Sequence, residues 1–378
     1  MAGIYLHIPF CESRCIYCNF YSTTRFDDWK DRYVAALCQE IRTRKDYLKG
    51  EPIRTIYLGG GTPSQLSITQ LKTIFECIEE NYDLNQCEET TLEANPDDLT
   101  LEYLSGLKRL PINRISMGVQ TFDNRALRFL RRRHDAEEAV HAVENCRKVG
   151  FDNFSIDLIY GLPEETPERW KSDIAQTLAL RPAHISAYCL SYETGTPLDK
   201  MLKEQQIKEV DEQSSLSYYN LLMKELKQAG YEHYEISNFC LPGQYSRHNS
   251  SYWRGVPYLG CGASAHSYNG NERDWNTADL KQYITGIEDG NRIFESEILD
   301  STTKYNESIM TGLRTSIGVD MNKLKETSGE KAYDYCLKMA TPHLKTHKLE
   351  YANGYLRLTS NGIFVSDDII SDLFIVSL

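Results

Sequence analysis

Along residues 1–230, short apolar runs alternate with longer stretches whose apolar positions recur every three or four residues. The runs 3–10, 55–58, 90–94, 114–119, 154–159 and 184–190 predict strands. Between them, 28–48 places Tyr33, Leu37, Ile41 and Leu48 at helical spacing, and 67–81, 100–110, 136–149 and 167–180 follow the same logic. Gly150 stands where a helix ending at Val149 would take its cap. Six strand–helix units in series predict a parallel sheet with helices outside. The expected fold class is therefore α/β, a partial (β/α)6 barrel two units short of the usual eight.

A long helix over 212–229 leads into a different region, 231–276, rich in Gly, Ser, Asn and Tyr. Past about residue 300 the pattern changes again. There 305–314 and 331–346 read as helices, 348–358 as a hairpin turning at Asn353-Gly354, and 363–374 as a closing apolar segment. The expected organisation is a partial barrel over 1–230 and an extension packing on it over 231–300. A smaller α+β, winged-helix-like C-terminal domain would follow over 301–378. A winged helix need not bind DNA, and this one carries no basic excess.

Composition narrows the partners. The 378 residues are 41% hydrophobic and 25% charged, ordinary for a globular protein. A net charge of −12 argues against a general nucleic-acid binder, which needs a basic stripe. Eleven cysteines are too few for a disulfide scaffold, and the chain opens Met-Ala-Gly straight into an apolar run without a charged leader. A reducing, cytoplasmic compartment is the expectation. No run approaches the roughly 20 apolar residues of a transmembrane helix.

Chemistry enters directly after the first strand, where Cys11, Cys15 and Cys18 are spaced Cys-x3-Cys-x2-Cys. Soft thiolates select zinc, copper(I) or iron–sulfur clusters. Structural zinc needs four closed ligands, whereas three thiolates on a four-iron cube leave one iron open. Zinc completed by His7, or three small buried side chains, are the alternatives. The other eight cysteines lie scattered, mostly in apolar runs, and read as packing residues.

Every unusual polar or glycine-rich segment falls at the C-terminal end of a predicted strand, where a barrel carries its active site. Gly59-Gly60-Gly61-Thr62 follows the second strand, Glu93 to Pro96 the third, and Gly118-Val119-Gln120 closes the fourth. Asp157 lies on the fifth, and Ser191 to Glu193 end the sixth. The glycine run is not a Walker loop, since no Gly-Lys-Ser/Thr follows, and its use would be close backbone approach to a ligand. Arg132 can fork onto a carboxylate, and Glu93 and Asp157 can accept from hydroxyls or an ammonium. Further on, His248 with Tyr252 and Trp253 suits heme, an imidazole for the iron and rings for the porphyrin face. A structural histidine hydrogen-bonded near a buried Trp is the competing reading.

The run Tyr5-x-His7-Ile-Pro-Phe-Cys with its three cysteines resembles the motif of the radical S-adenosylmethionine (SAM) enzymes. Within them it resembles the branch of oxygen-independent coproporphyrinogen III oxidase and the heme chaperones of the HemW type. The resemblance implies a [4Fe-4S] cluster on Cys11, Cys15 and Cys18 that reduces SAM to a 5′-deoxyadenosyl radical. It implies SAM contacts at Tyr5, Tyr17, Gly60, Gly61, Thr62, Glu93, Gln120, Arg132, Asp157 and Ser191. Two details divide the branch. The oxidases carry a further cysteine two places after the third, where this chain has Phe20. His248-Asn249-Ser250-Ser251-Tyr252-Trp253 is similar to the His-Asn-x-x-Tyr-Trp signature of the chaperones. On that resemblance the expected function is binding of heme, with His248, Tyr252 and Trp253 at the heme, and its transfer to apo-hemoproteins. An electron donor such as flavodoxin or ferredoxin is implied with it. The alternatives are decarboxylation of coproporphyrinogen III to protoporphyrinogen IX, or another radical reaction such as methyl transfer.

Overall fold

The computed structural model describes residues 1–25 and 27–376. Strands β1 (Ala2–Ile8), β2 (Ile53–Gly60), β3 (Glu89–Ala94), β4 (Arg114–Gln120), β5 (Phe154–Tyr160) and β6 (His184–Cys189) form in the expected places. Each pairs parallel with the next in chain order. Almost every position of β1 to β5 is buried, so their sequences are continuous apolar runs rather than alternating ones.

Helices Lys30–Thr43, Ile68–Asn81, Leu101–Leu107, Ala136–Val149 and Pro167–Ala179 cover the outer face. Ser67 with Gln70 and Asp135 with Glu138 form capping boxes, and Gly150 takes the left-handed conformation (φ 86°) that ends its helix. The predicted helix over 28–48 stops at Thr43, because Arg44 turns inward to a buried ion cluster and Lys49 and Gly50 adopt positive φ.

Residues 231–300 do more than pack on the barrel; they lengthen its sheet at both edges. The hairpin β7 (Glu232–Glu235) and β8 (Asn238–Cys240) adds to β6. At the other edge β9 (Tyr258–Cys261) pairs parallel with β1, and β10 (His266–Tyr268), β11 (Glu272–Asn276) and β12 (Phe294–Ile298) continue it. The result is a linear order of twelve strands rather than a closed ring. A buried charge cluster fixes the β9 edge. Glu40 accepts from the Gly262 N–H (2.9 Å), the Tyr283 hydroxyl (2.7 Å) and Asn276 (2.9 Å). Arg44 spans Glu40, the Gly260 carbonyl and Asp274. With Glu40 accepting four hydrogen bonds and Asp274 held by Arg44, these charges can stay buried.

Beyond residue 300 the chain closes over a second core containing Tyr305, Ile309, Leu313, Leu356 and Leu373. A small sheet, β13 (Val319–Asp320), β14 (Leu349–Ala352) and β15 (Tyr355–Leu358), packs against helices Ser301–Leu313, Met321–Ser328 and Glu330–Lys345. Asn353 and Gly354 both have positive φ, as a two-residue hairpin turn requires. The closing segment is helical over Ser366–Leu373. No helix among the described residues is long and apolar enough to cross a membrane.

Candidate active site

A cavity of about 450 Å³ opens at the C-terminal ends of β1 to β6. It brings together Cys11, Cys15 and Cys18 with Tyr17, Gly60, Gly61, Thr62, Glu93, Gln120, Arg132, Asp157 and Ser191. Of the residues expected to touch a cofactor there, only Tyr5 is not in the wall. Its ring stacks on Tyr57 (6.2 Å between centroids) and its hydroxyl meets His7 Nδ1 at 3.1 Å, so it supports the wall from behind.

The cysteine loop is held by backbone bonds before any metal is considered. Cys11 N–H donates to the Thr23 carbonyl (3.0 Å), and Ile16 N–H to that of Leu130 (3.3 Å). Gly61 and Thr62 N–H groups bond the carbonyls of Ile8 and Phe10, both at 2.9 Å, which laces the glycine run to the loop. Glycine is required here. Gly60 has φ of 105°, and a Cβ on Gly61 would lie 2.7 Å from the Ile8 carbonyl oxygen.

The thiols face donors. Thr62 Oγ1 donates to Cys11 Sγ at 3.3 Å and Arg132 Nη1 to Cys15 Sγ at 3.2 Å. Burial raises the thiol pKa of Cys11 and of Cys18, so without a metal these two are held as thiols. Three soft sulfurs, two of them already served by donors, fit an electron-rich iron–sulfur cluster, whose potential such donors tune. The zinc alternative fails on His7. Its Nε2 is engaged by the Tyr21 carbonyl (2.8 Å) and its Nδ1 by the Tyr5 hydroxyl (3.1 Å), so neither ring nitrogen is turned to the three sulfurs.

Arg132 is tied to the cavity wall through three partners. Its Nη2 donates to Asn95 Oδ1 (2.7 Å) and the Gly118 carbonyl (2.6 Å) while Nη1 serves Cys15. Its Nε is without a hydrogen-bond partner. Gln120 reaches the cavity because β4 shifts register between Gly118 and Gln120, which has φ of 71°.

Two carboxylates sit in the wall. Glu93 accepts from the Tyr57 hydroxyl (2.7 Å) and the Gly60 N–H (3.2 Å), yet burial pushes its pKa up to about 7. Asp157 accepts from Ser155 (3.2 Å) and Ser116 (3.3 Å), and burial raises its pKa too. Ser155 also meets His184 Nδ1 at 2.8 Å, and His184 Nε2 meets the Tyr234 hydroxyl at 2.7 Å. Sequence reasoning missed Arg114, which also lines the cavity. A lone charge at the mouth of the apolar run 114–119 was the available signal.

His248 requires a correction. The ring is 1% exposed on helix Arg247–Trp253, stacked on Tyr57 at 5.1 Å, with Nδ1 at Thr55 Oγ1 and Nε2 at the Tyr252 hydroxyl, both 2.8 Å. Neither nitrogen is available to iron in this arrangement, and burial lowers its pKa to about 3. Tyr252 is spent on His248 and packs edge-on against Tyr258, while Trp253 lies under the Arg314 guanidinium at 5.0 Å. His248 and Tyr252 are therefore packed against β2 and β9, and Trp253 against Arg314. Only Asn249 of that helix reaches the cavity.

Residues 5–176 match the family model of the radical SAM superfamily, and residues 299–365 that of the HemN C-terminal domain. A heme chaperone HemW from Lactococcus lactis subsp. lactis (strain IL1403) is 38% identical over 332 residues, 87% of this chain and 86% of its own. One from Bacillus subtilis (strain 168) is 35% identical over 334 residues, 87% of each chain. Among solved structures, the coproporphyrinogen III oxidase HemN from Escherichia coli, a radical SAM enzyme, superposes with a TM-score of 0.86 at 26% identity. That likeness covers 99% of this chain and 90% of HemN.

Proposed function

Since the chain belongs to the radical SAM superfamily, in its HemN-like branch and with the heme chaperones named HemW, we propose that it takes up heme and delivers it to apo-hemoproteins. In this reading Cys11, Cys15 and Cys18 hold a [4Fe-4S] cluster with SAM beside it. Together the two groups supply one-electron reductive chemistry at a sulfonium. The protein's part is placement. Thr62 and Arg132 aim donors at two sulfurs, Gly60 and Gly61 let backbone come close, and Glu93 and Asp157 accept from an ammonium or ribose hydroxyls. Tyr17, Gln120 and Ser191 line the remaining wall, and Tyr5 acts through Tyr57 and His7.

The observation that carries the chaperone over the oxidase is Phe20. It stands where the oxidases have their further cysteine, lines the cavity and is 65% exposed. Tyr188, 45% exposed, lines the same cavity. Exposed aromatic faces at a cavity suit a flat porphyrin better than they suit water. The oxidase stays as the second reading because of the whole-chain likeness to HemN. Transfer is the direct test: heme-loaded protein mixed with an apo-cytochrome should yield the holo-cytochrome spectrum, and heme retained by the donor would count against delivery.

SAM binding should depend on pH through Glu93, which faces Tyr57, Asp157 and Arg114. Burial raises its pKa to about 7, above the ordinary glutamate value of 4.5, so the ligand-free site holds a proton below neutrality. An ammonium beside it favours the carboxylate and expels that proton. SAM affinity should therefore rise with pH up to about 7, by at most about tenfold per unit, and level off above. Calorimetry in buffers of different ionisation heat should show proton release at pH 6. A flat profile from pH 5.5 to 8 would remove Glu93 from the ammonium site.

A further inference from the structure

We propose that Arg131 and Arg14, at the mouth of the cavity, receive the two propionates of a heme whose face lies against Phe20 and Tyr188. The inference deepens the functional reading and rests on it. The cavity wall carries five arginines against the carboxylates of Glu93 and Asp157, on a chain of net charge −12. Three of the five are committed or enclosed. Arg132 serves Cys15, Asn95 and Gly118, Arg133 is paired with Glu12, Asp97 and Asp98, and Arg114 is buried. Of the seven charged groups in the wall, only Arg14 and Arg131 are exposed.

Arg131 stands there at a cost in strain. The helix Asn124–Phe129 ends in a Schellman turn, with the Arg131 N–H on the Arg128 carbonyl (3.1 Å) and the Arg132 N–H on that of Leu127 (2.9 Å). The left-handed position of such a turn is one that glycine fills most readily. Here it is Arg131, with φ of 59°. Its guanidinium makes no hydrogen bond or ion pair among the described residues, so no contact within the chain offsets the strain. Arg14, on the cysteine loop, makes one 3.3 Å bond to the Cys18 carbonyl and no ion pair among the described residues. Heme is an anion of matching form, a flat apolar ring with two carboxylates on one edge. The mouth offers it two exposed aromatic rings and two exposed guanidiniums. A small anion such as phosphate would use the cations and leave both rings in water.

The test compares heme with heme dimethyl ester on cluster-reconstituted wild type, Arg131→Gly, Arg131→Lys and the double variant Arg131→Gly with Arg14→Gln. Wild type should bind heme about tenfold more tightly than the ester at low ionic strength, at about two- to fivefold per exposed pair. Salt should narrow that gap. Arg131→Gly should lose part of the preference, Arg131→Lys should keep most of it, and the double variant should lose it. Because glycine suits the turn, Arg131→Gly should not lower the urea midpoint of unfolding, which separates a lost propionate contact from a damaged fold. A preference equal in wild type and the double variant would overturn the assignment while leaving the functional reading intact. So would equal affinity of wild type for heme and ester, a result that needs no variant to fold. Slower reduction of the cluster by an acidic donor such as flavodoxin, with the heme preference unchanged, would overturn it in favour of a donor-docking face. If wild type binds neither heme nor ester, the functional reading fails and the assignment with it.

Discussion

Cys15→Ala is expected to reduce bound iron and sulfide, after anaerobic reconstitution, from about four of each per chain to background. Three thiolates are the minimum for a site-differentiated cube, and this substitution leaves two on the loop. It also strips Arg132 Nη1 of its sulfur partner, inside a guanidinium already fixed by Asn95 and Gly118. The loop itself should survive, because its path is set by the backbone bonds of Cys11, Ile16 and Thr23 rather than by the thiol. Unchanged circular dichroism with loss of the visible thiolate-to-iron absorbance is the expected signature. Retention of most of the iron would mean that another ligand, such as Cys189 of the same cavity, completes the site.

The second large effect is one of stability. His248→Ala, measured without heme, should lower the unfolding free energy by roughly 3–5 kcal/mol. The ring fills buried volume against Tyr57, and its loss strands two hydroxyls, Thr55 on β2 and Tyr252 on its own helix. A loss below about 1 kcal/mol would be that of a loosely held surface ring. That result would show the imidazole free to turn toward a ligand and return His248 to the heme site.

These two cases mark where the sequence was legible. The six parallel strands were readable because strands buried on both faces appear as unbroken apolar runs. The cavity wall was readable for a related reason, since a parallel barrel delivers the end of every strand to one rim. Strands β7 to β12 were hidden, being three to five residues long and set among glycine and polar residues that read as loop. Side-chain commitments were hidden altogether. Spacing identified Arg132 and His248 as unusual, but what each donates to depends on partners 37 and 193 residues away in sequence. Arg114 was passed over because its backbone lies at the far end of its strand from the cavity that its side chain reaches. Tyr5 shows the reverse case, a motif residue whose contribution comes through its neighbours.

The chaperone and oxidase readings share one fold, since the likeness to HemN covers 99% of this chain. They part at Phe20 and at what happens to the porphyrin. One sample can decide: reconstituted protein titrated anaerobically with heme by optical spectroscopy, then supplied with SAM, reductant and coproporphyrinogen III. Saturable uptake of heme, with no loss of carboxyl groups from coproporphyrinogen III, is the predicted result. Decarboxylation over many turnovers would show that Phe20 serves where the oxidases use cysteine, and would contradict the chaperone.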